Sequence, residues 1–366
     1  MGEILQLTDQ DIPAVAELFL KVFRKSTSKA PSSLVKYFSS IYLENPWYDP
    51  AYGSLVCKDR EGRTTGFIGA VPRPMVFGTR RITAVVAGNH MVDPELGDPF
   101  TAGLLLRKLL SGKQDVTFSD SANEASRRMW EGTDACTMYL YSLRWLRVLR
   151  PLMYGISLLR RQQGSRAVAA VANPFARLAD AAVAPHTLNR GLAKPSEELR
   201  THELSLEEFY ANVTAWTSPF ELRPANERSD LEWLLLRASE KTQYGPLFKF
   251  AVESSHSVIG HFLFYLRPGG TAEVLQILSR PNHFDVVLRS LFRAVLTLGG
   301  IAVIGSSAPS NFMSLSTNRC LLFHRNQSMV VHAKDRTILD AFHRGTAFAG
   351  RLESEWWTRL QGDRFE

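Results

Sequence analysis

Four side chains within the first 140 residues have the chemistry to move a proton or hold an amine. His90 titrates near neutral pH when unperturbed, which suits a general base, and Asn89 beside it could hold a carbonyl or an ammonium group. Asp120 is a second candidate base, although an aspartate placed there also suits a helix cap. The candidate catalytic residues are His90, Asn89, Asp120 and Tyr139. The alternative is that they only pack or cap.

Tyr139 is a candidate catalytic residue because of the alternating sequence around it. Tyr139 and Tyr141 alternate with apolar residues in "ACTMYLYSL", which predicts a strand with one tyrosine face. That face would line a cleft or lie half buried.

A second pattern concerns anion binding. The stretch "VDPELGDPFTAGLLLRKLL" runs from an apolar strand through a loop into a leucine-rich helix. Backbone N–H groups at a helix N-terminus form an anion site, so the loop is a candidate phosphate cradle. Asp98 and Thr101 are also good N-cap residues, so the same loop is equally consistent with a structural cap.

These residues need a framework of strands and helices to bring them together. Hydrophobic periodicity and turn residues predict the order β-α-α-β-β-β-α-β-α-β in the first half, and a looser version of it in the second. The predicted organisation is a domain at 1–142, a basic and partly helical linker at 143–199, and a second domain at 200–366. Near the C-terminus, "SEWW" predicts an amphipathic helix that docks on a sheet.

The stretch from Gly66 to Ala135 resembles a known family at two places. Val92, Pro94 and Glu95 fit a Val-x-Pro-Glu signature that precedes a leucine-rich helix, here "GLLLRKLL". Further on, "NEASRRMWEGTDA" is similar to an Asn-x-x-Ala-x-x-Leu-Tyr-x-x-x-Gly-Phe segment. Both belong to the GNAT superfamily of acyl-CoA N-acyltransferases. The resemblance implies an α/β fold with two tandem GNAT-like mixed sheets, mostly antiparallel and flanked by helices, the second domain being degenerate.

The resemblance also implies where an acyl-CoA would bind. In the family, backbone N–H groups of the loop hold the CoA pyrophosphate, and here these groups lie between Phe100 and Gly103. Gly97, Phe100 and Ala102 take the places of the family's loop residues. The implied donor-binding residues are Met91, Val92, Gly97, Asp98, Phe100, Thr101, Ala102, Gly103, Asn123 and Arg127. A different acyl donor, a shifted loop or a vestigial site are the alternatives.

The implied activity is N-acyl transfer from acetyl-CoA or another acyl-CoA to the primary amine of a small or sugar-like acceptor. Trp130 stands where the family has a tyrosine that protonates the leaving thiolate, so another group or water must supply that proton. Two alternatives are a FemAB-like or acyl-carrier-protein-dependent transferase and a catalytically silent binding protein.

A basic segment lies in the middle of the chain. Residues 135–179 contain no Asp or Glu, and Arg144, Arg147 and Arg150 recur at three-residue spacing, which predicts a helix with a basic stripe. The stripe is either a solvated linker face or a docking face for an acidic carrier protein or an anionic membrane. No nucleic-acid module accompanies it.

Composition narrows the possible cellular location and the kinds of site that the protein can have. The chain of 366 residues has a net charge of +7, no secretory leader and no apolar run long enough to span a membrane, so we expect a cytoplasmic protein. Three scattered cysteines and dispersed histidines predict neither a disulfide framework nor a metal site.

Overall fold

The computed structural model describes residues 2–161, 180 and 199–366. Fifteen strands are present in these residues: β1 Glu3–Gln6, β2 Leu55–Lys58, β3 Thr64–Phe77, β4 Arg80–Val92, β5 Val116–Ala122, β6 Cys136–Thr137, β7 Leu143–Val148, β8 Leu199–Glu203, β9 Leu222–Pro224, β10 Leu247–Ser254, β11 Ser257–Tyr265, β12 Thr271–Ser279, β13 Ala302–Ser306, β14 Leu321–His324 and β15 Ser328–Ala333.

Eleven α-helices lie between them in the described part of the chain: α1 Ile12–Phe19, α2 Ser32–Tyr42, α3 Thr101–Leu110, α4 Glu124–Glu131, α5 Tyr139–Ser142, α6 Pro151–Arg161, α7 Leu206–Thr217, α8 Arg228–Ser239, α9 Phe284–Thr297, α10 Phe312–Thr317 and α11 Arg336–Arg344. A π-helical turn at Leu20–Arg24 continues α1. No helix among them combines the length and apolar composition that crossing a bilayer requires.

The first sheet runs in the order β1-β2-β3-β4-β5-β15-β6, with β9 paired to β3. Its neighbours are antiparallel except β4 and β5, which are parallel and joined through α3. The leucine-rich face of α3 buries Leu105 and Leu109 against sheet residues such as Ile68 and Val85. This packing fixes the loop that precedes α3 relative to β4.

The second sheet runs in the order β14-β7-β13-β12-β11-β10-β8. Here β12 and β13 are the parallel pair, joined through α9, whose buried face includes Leu288 and Phe292. The predicted fold class is confirmed: the protein is mixed α/β, with two mostly antiparallel sheets flanked by helices.

The first sheet takes two strands, β9 and β15, from the second half of the sequence, and the second sheet takes β7 from the first half. β15, predicted as the last strand of the second half, lies between β5 and β6 of the first sheet. β7 lies between β13 and β14 of the second sheet. Contact clustering accordingly gives two discontinuous units: unit 1 is 1–142, 217–235 and 326–366, and unit 2 is 143–216 and 236–325. The linear domain boundaries stay a prediction.

Three local predictions are wrong. The arginine-rich stretch begins with β7 and not with a helix, because its backbone pairs with β13 on one side and β14 on the other. "ACTMYLYSL" forms only the two-residue β6 and the single helical turn α5. "SEWW" lies in a succession of buried turns and not in a helix. Residues 162–179 and 181–198 of the predicted linker lie outside the described residues.

Candidate functional site

The first sheet opens where β4 and β5 part. These strands pair only at Ala84–Val116, Val85–Thr117 and Val86–Phe118, and beyond this point each pairs with its outer neighbour. The facing backbone edges of residues 87–92 and 119–122 therefore do not bond to each other. Such edges need other hydrogen-bond partners, so a ligand can bind between them.

A bulge in β4 lies at this opening. The register with β3 shifts between Phe67 and Gly69, so Asn89 and His90 both stand opposite Ile68. Asn89 adopts a left-handed backbone with φ of 48°, which asparagine tolerates better than most residues. A bulge re-aims side chains at a functional edge. Here it directs Nδ2 of Asn89 to Tyr42, whose hydroxyl accepts a hydrogen bond at 2.7 Å.

A cavity of about 440 Å³ occupies the opening, entirely within unit 1. Its walls come from β4, β5, α4, the π-helical turn and the C-terminal segment. The lining residues are Phe23, Arg24, Ile68, Ala87, Gly88, Asn89, His90, Ser119, Ser121, Ala122, Asn123, Ser126, Trp130, Asn326, Gln327, Glu355, Leu360, Gln361 and Gly362. The cavity therefore combines apolar walls with many neutral hydrogen-bonding groups, as small-molecule sites commonly do.

Glu355 is the buried acid of this cavity. Ser121 donates a hydrogen bond to its carboxyl, and no lysine, arginine or histidine of the described residues pairs with it. Burial, and then the negative charge of Asp120, raise the pKa of Glu355 to about 8. The glycine at position 88 makes room for this carboxyl, since a Cβ there would overlap Oε2 of Glu355.

Asp120 lies beside the cavity and influences it electrostatically. It lies on β5 next to two cavity-lining serines, and its Oδ2 accepts a hydrogen bond from Ser354 at 2.5 Å. Asp120 is not among the residues that line the cavity and does not cap α4, whose cap is Asn123. The structure therefore gives Asp120 an electrostatic influence on Glu355 rather than direct access to a ligand.

His90 lies in the cavity wall but is poorly suited to proton transfer. Burial lowers its pKa to about 4, and a hydrogen bond with the backbone of Ala102 offsets part of that effect. Its Nε2 finds no hydrogen-bond partner in the part of the chain that the structure describes. Near neutral pH the ring is thus uncharged, and a base this weak takes a proton from an ammonium inefficiently.

The loop before α3 is held by its own aspartates. Asp98 accepts a hydrogen bond from the N–H of Phe100 at 2.8 Å through its carboxylate, and one from Thr101 at 2.9 Å through its carbonyl oxygen. Asp93 is buried and paired with Lys21 at 2.9 Å. The Val-x-Pro-Glu stretch therefore stabilises the turn, and the Phe100 N–H is already engaged.

The remaining predicted donor-binding residues are divided between the cavity and the surface. Met91 is buried and Val92 partly so, whereas Gly97, Ala102 and Gly103 are partly exposed in or after the loop. Asn123 lines the cavity and caps α4, accepting a hydrogen bond from the N–H of Ser126 at 2.9 Å.

Two predicted site residues have other surroundings. Arg127 pairs with Glu124 at 2.8 Å and Glu131 at 2.6 Å on its own helix, so its charge is already compensated. Tyr139 is 63% exposed on α5 and does not line the cavity, because the strand expected there does not form. The prediction that Tyr139 faces the cleft is wrong.

The basic stripe is largely buried within unit 2. Arg144 pairs with Glu273 at 2.7 Å, and Arg147 donates to the carbonyl oxygen of Arg319 at 3.4 Å. Arg150, which is partly exposed, donates to the carbonyl oxygen of Leu296 at 3.3 Å. Docking of an acidic partner stays a prediction, and the burial of Arg144 and Arg147 counts against it.

No family model matches the chain, and no curated protein sequence matches it. Several solved structures, however, are similar to it. A probable N-acyltransferase of Enterococcus faecalis is 10% identical with a TM-score of 0.59, covering 91% of this chain and 73% of that one. A GCN5-related N-acetyltransferase of Anabaena variabilis is 10% identical with a TM-score of 0.57, covering 92% and 73%.

A Saccharomyces cerevisiae N-myristoyltransferase with bound myristoyl-CoA is 10% identical with a TM-score of 0.50, covering 90% of this chain and 77% of that one. The protein therefore has the GNAT fold, as its sequence predicts. At such low identity, this likeness establishes the fold alone.

Proposed function

We propose that the protein transfers an acyl group from an acyl-CoA to a primary amine bound in the cavity of unit 1. The observation that carries this proposal is the Glu355 carboxyl at the point where β4 and β5 part, facing a cavity that a small amine fits. The three structural relatives, named as acyltransferases, support the reaction class.

The chemistry needs one proton acceptor and a positioned thioester. In its ionised form Glu355 takes a proton from the acceptor ammonium, which breaks an N–H bond and forms an O–H bond. The freed amine attacks the thioester carbonyl and forms a C–N bond, and the C–S bond breaks. The second proton that the nitrogen loses on becoming an amide passes through water to the departing thiolate, and Glu355 returns its own proton to solvent. A carboxyl with a pKa of about 8 is well matched to this task near neutral pH.

The donor is proposed to bind along the divergent edge of β4 toward the start of α3. Acetyl-CoA is the first donor to test, and longer acyl-CoAs are the second. The engaged Phe100 N–H leaves fewer hydrogen-bond donors for the pyrophosphate of either one than an open loop would. A leucine at position 102 would crowd the N-terminus of α3 and should weaken donor binding about tenfold or more.

Calorimetry with acetyl-CoA and longer acyl-CoAs tests this proposal directly, followed by assays of CoA release with a panel of small amines. We expect donor binding, and amine-dependent release of CoA. Ala102→Leu tests the donor site, because it should weaken acyl-CoA binding without altering the cavity residues. Absence of binding for every donor in folded protein would contradict the proposal.

A further inference from the structure

Arg24, which is positively charged, and Glu355, which becomes negatively charged when it loses its proton, both line the cavity of unit 1. Among the described residues, neither is within ion-pair distance of an oppositely charged side chain. A charge that is partly removed from water without a partner is costly in a folded protein. A ligand with complementary charges would remove that cost at both ends.

Arg24 is held in place by backbone atoms. It ends the π-helical turn, and Lys25 follows with a left-handed φ of 54°. One Nη of Arg24 donates to the carbonyl oxygens of Leu360 and Asp363, both at 3.2 Å. The Asp363 carboxylate is itself engaged by Arg359 at 3.4 Å. Arg24 is therefore fixed at the wall, where burial disfavours its charged form and the nearby Asp363 carboxylate favours it.

The π-helical turn explains why this arginine reaches the cavity. An insertion that widens one helical turn shifts the side chains that follow it, and such turns are frequent at functional sites. Here the shifted residues Phe23 and Arg24 both line the cavity. The guanidinium carbon also lies 5.1 Å from the ring centroid of Phe19, which limits its freedom further.

We propose that the acceptor is a zwitterion, whose ammonium group binds at Glu355 and whose anionic group binds at Arg24. This inference rests on the proposed function. The anion is a carboxylate, as in an amino acid, or a phosphate, as in a phosphorylated amine, since arginine binds both through paired N–H donors. Neutral groups such as Asn326 and Gln327 remain for the body of the acceptor.

The test compares acceptors that differ only in the anion. Each protein amino acid is assayed beside its carboxamide, and phosphoethanolamine beside ethanolamine, with acetyl-CoA as donor and CoA release as readout. We expect kcat/KM for the anionic member of one pair to exceed that of its neutral partner by about 30-fold or more. Carboxamides have less basic amines, so intrinsic reactivity favours them and cannot produce this preference.

Arg24→Gln should remove the preference by raising KM for the anionic acceptor about tenfold or more, with the affinity for acetyl-CoA unchanged. Arg80→Gln is the matched control, because Arg80 is exposed and pairs with Asp335 away from the cavity. Equal use of anionic and neutral acceptors by the wild type, or a preference that survives in Arg24→Gln, would overturn the zwitterion inference.

Calorimetry of the same acceptors without donor separates this inference from the proposed function. Arg24-dependent binding of an anionic amine, with no binding of any acyl-CoA, would support the acceptor site and contradict acyl transfer. Binding of acetyl-CoA with no preference for anionic amines would support the proposed donor site and contradict the zwitterion inference.

Discussion

The two sheets part in the same way, but the glycine beside each opening faces a different kind of side chain. In unit 1, β4 and β5 pair at three positions and then diverge around a cavity. In unit 2, β12 and β13 also pair at three positions, Thr271–Ala302, Ala272–Val303 and Glu273–Ile304. A glycine lies at both openings and admits a side chain: Gly88 admits the Glu355 carboxyl, whereas Gly305 admits the Trp145 ring.

The difference shows which opening can do chemistry. Trp145 is buried and its Nε1 donates to the carbonyl oxygen of Ser306 at 3.0 Å, so it fills space with its polar atom satisfied. Glu273, a buried acid of unit 2, is neutralised by Arg144 at 2.7 Å. Glu355 has Asp120 nearby and no such cation, so it can change its protonation state within the range of physiological pH.

The largest expected effect separates Glu355 from Glu273. Glu355→Gln should lower kcat by about 10²- to 10⁴-fold, because it removes the proton acceptor, while leaving the affinity for acetyl-CoA unchanged. Glu273→Gln breaks a buried ion pair and should instead lower the free energy of unfolding by about 3–5 kcal/mol. Chemical denaturation and steady-state kinetics of both variants measure these effects.

Glu353→Gln is the matched control for Glu355→Gln. Glu353 lies in the same C-terminal segment, accepts a hydrogen bond from the N–H of Gly350 at 3.0 Å and does not line the cavity. Glutamine retains an acceptor for that bond but removes a negative charge near the buried Arg73, so stability should fall while kcat of the folded variant stays near the wild-type value. Full activity of Glu355→Gln would remove the distinction between the two openings.

The next prediction concerns how the stability of the protein depends on pH through Glu355. Glu355 holds its proton in the folded state up to a pKa of about 8, whereas the unfolded chain loses it near the ordinary value of 4.5. Between these values the unfolded state binds fewer protons, so the stability present at low pH is lost as the pH rises. The loss should be on the order of 3 kcal/mol for a carboxyl this buried.

Urea denaturation at pH 5, 7 and 9 measures this loss as the difference between the wild type and Glu355→Gln. The charged or titratable groups around Glu355 are Asp120, Tyr42, His90 and Arg24, and the variant retains all of them. kcat should rise with pH through the same range, because only the ionised carboxyl accepts a proton. Parallel pH profiles of stability for the two proteins would contradict a raised pKa.

A third comparison replaces each of the two glycines by alanine. Gly88→Ala places a Cβ where the Glu355 carboxyl lies and should lower kcat by about 10- to 100-fold by displacing it. Gly305→Ala places a Cβ against the Trp145 ring and should mainly lower stability, by about 1–3 kcal/mol. Kinetics and thermal unfolding of both variants check this. Similar losses of kcat in the two would contradict a special role for the first opening.

The sequence predicts much of the framework that these variants test. Periodic apolar residues predict α3, α9 and the meanders, because their burial faces are local in sequence. The identity of the proton acceptor is not local: Glu355 reaches Ser121 across 234 residues, and "SEWW" has no pattern that signals a cavity. The π-helical turn that positions Arg24 is likewise hidden in an ordinary amphipathic pattern.

The arginines that were predicted to lie on a helix show the same limit of prediction from local sequence. Three-residue spacing predicts one helical face, yet Arg144 and Arg147 belong to a strand, where they are buried. What stabilises them is Glu273 and the carbonyl oxygen of Arg319, groups that lie 129 and 172 residues away. Pairings of this kind override local periodicity and cannot be inferred from it.

The smallest expected effect is that of His90→Gln on the rate. His90 is the candidate base that sequence favours, but its buried ring has a pKa of about 4 and stays neutral where the reaction runs. Glutamine keeps a polar group toward the backbone of Ala102, so kcat should change by no more than about threefold. His261→Gln is the counterpart in unit 2, since burial also lowers the pKa of His261 to about 4. That variant should lose stability, because His261 hydrogen-bonds Gln276 at 3.0 Å in a fully buried position. Kinetics over pH 6 to 9 decide the matter: a plateau lowered by about 10-fold or more in His90→Gln would make His90 the base in place of Glu355.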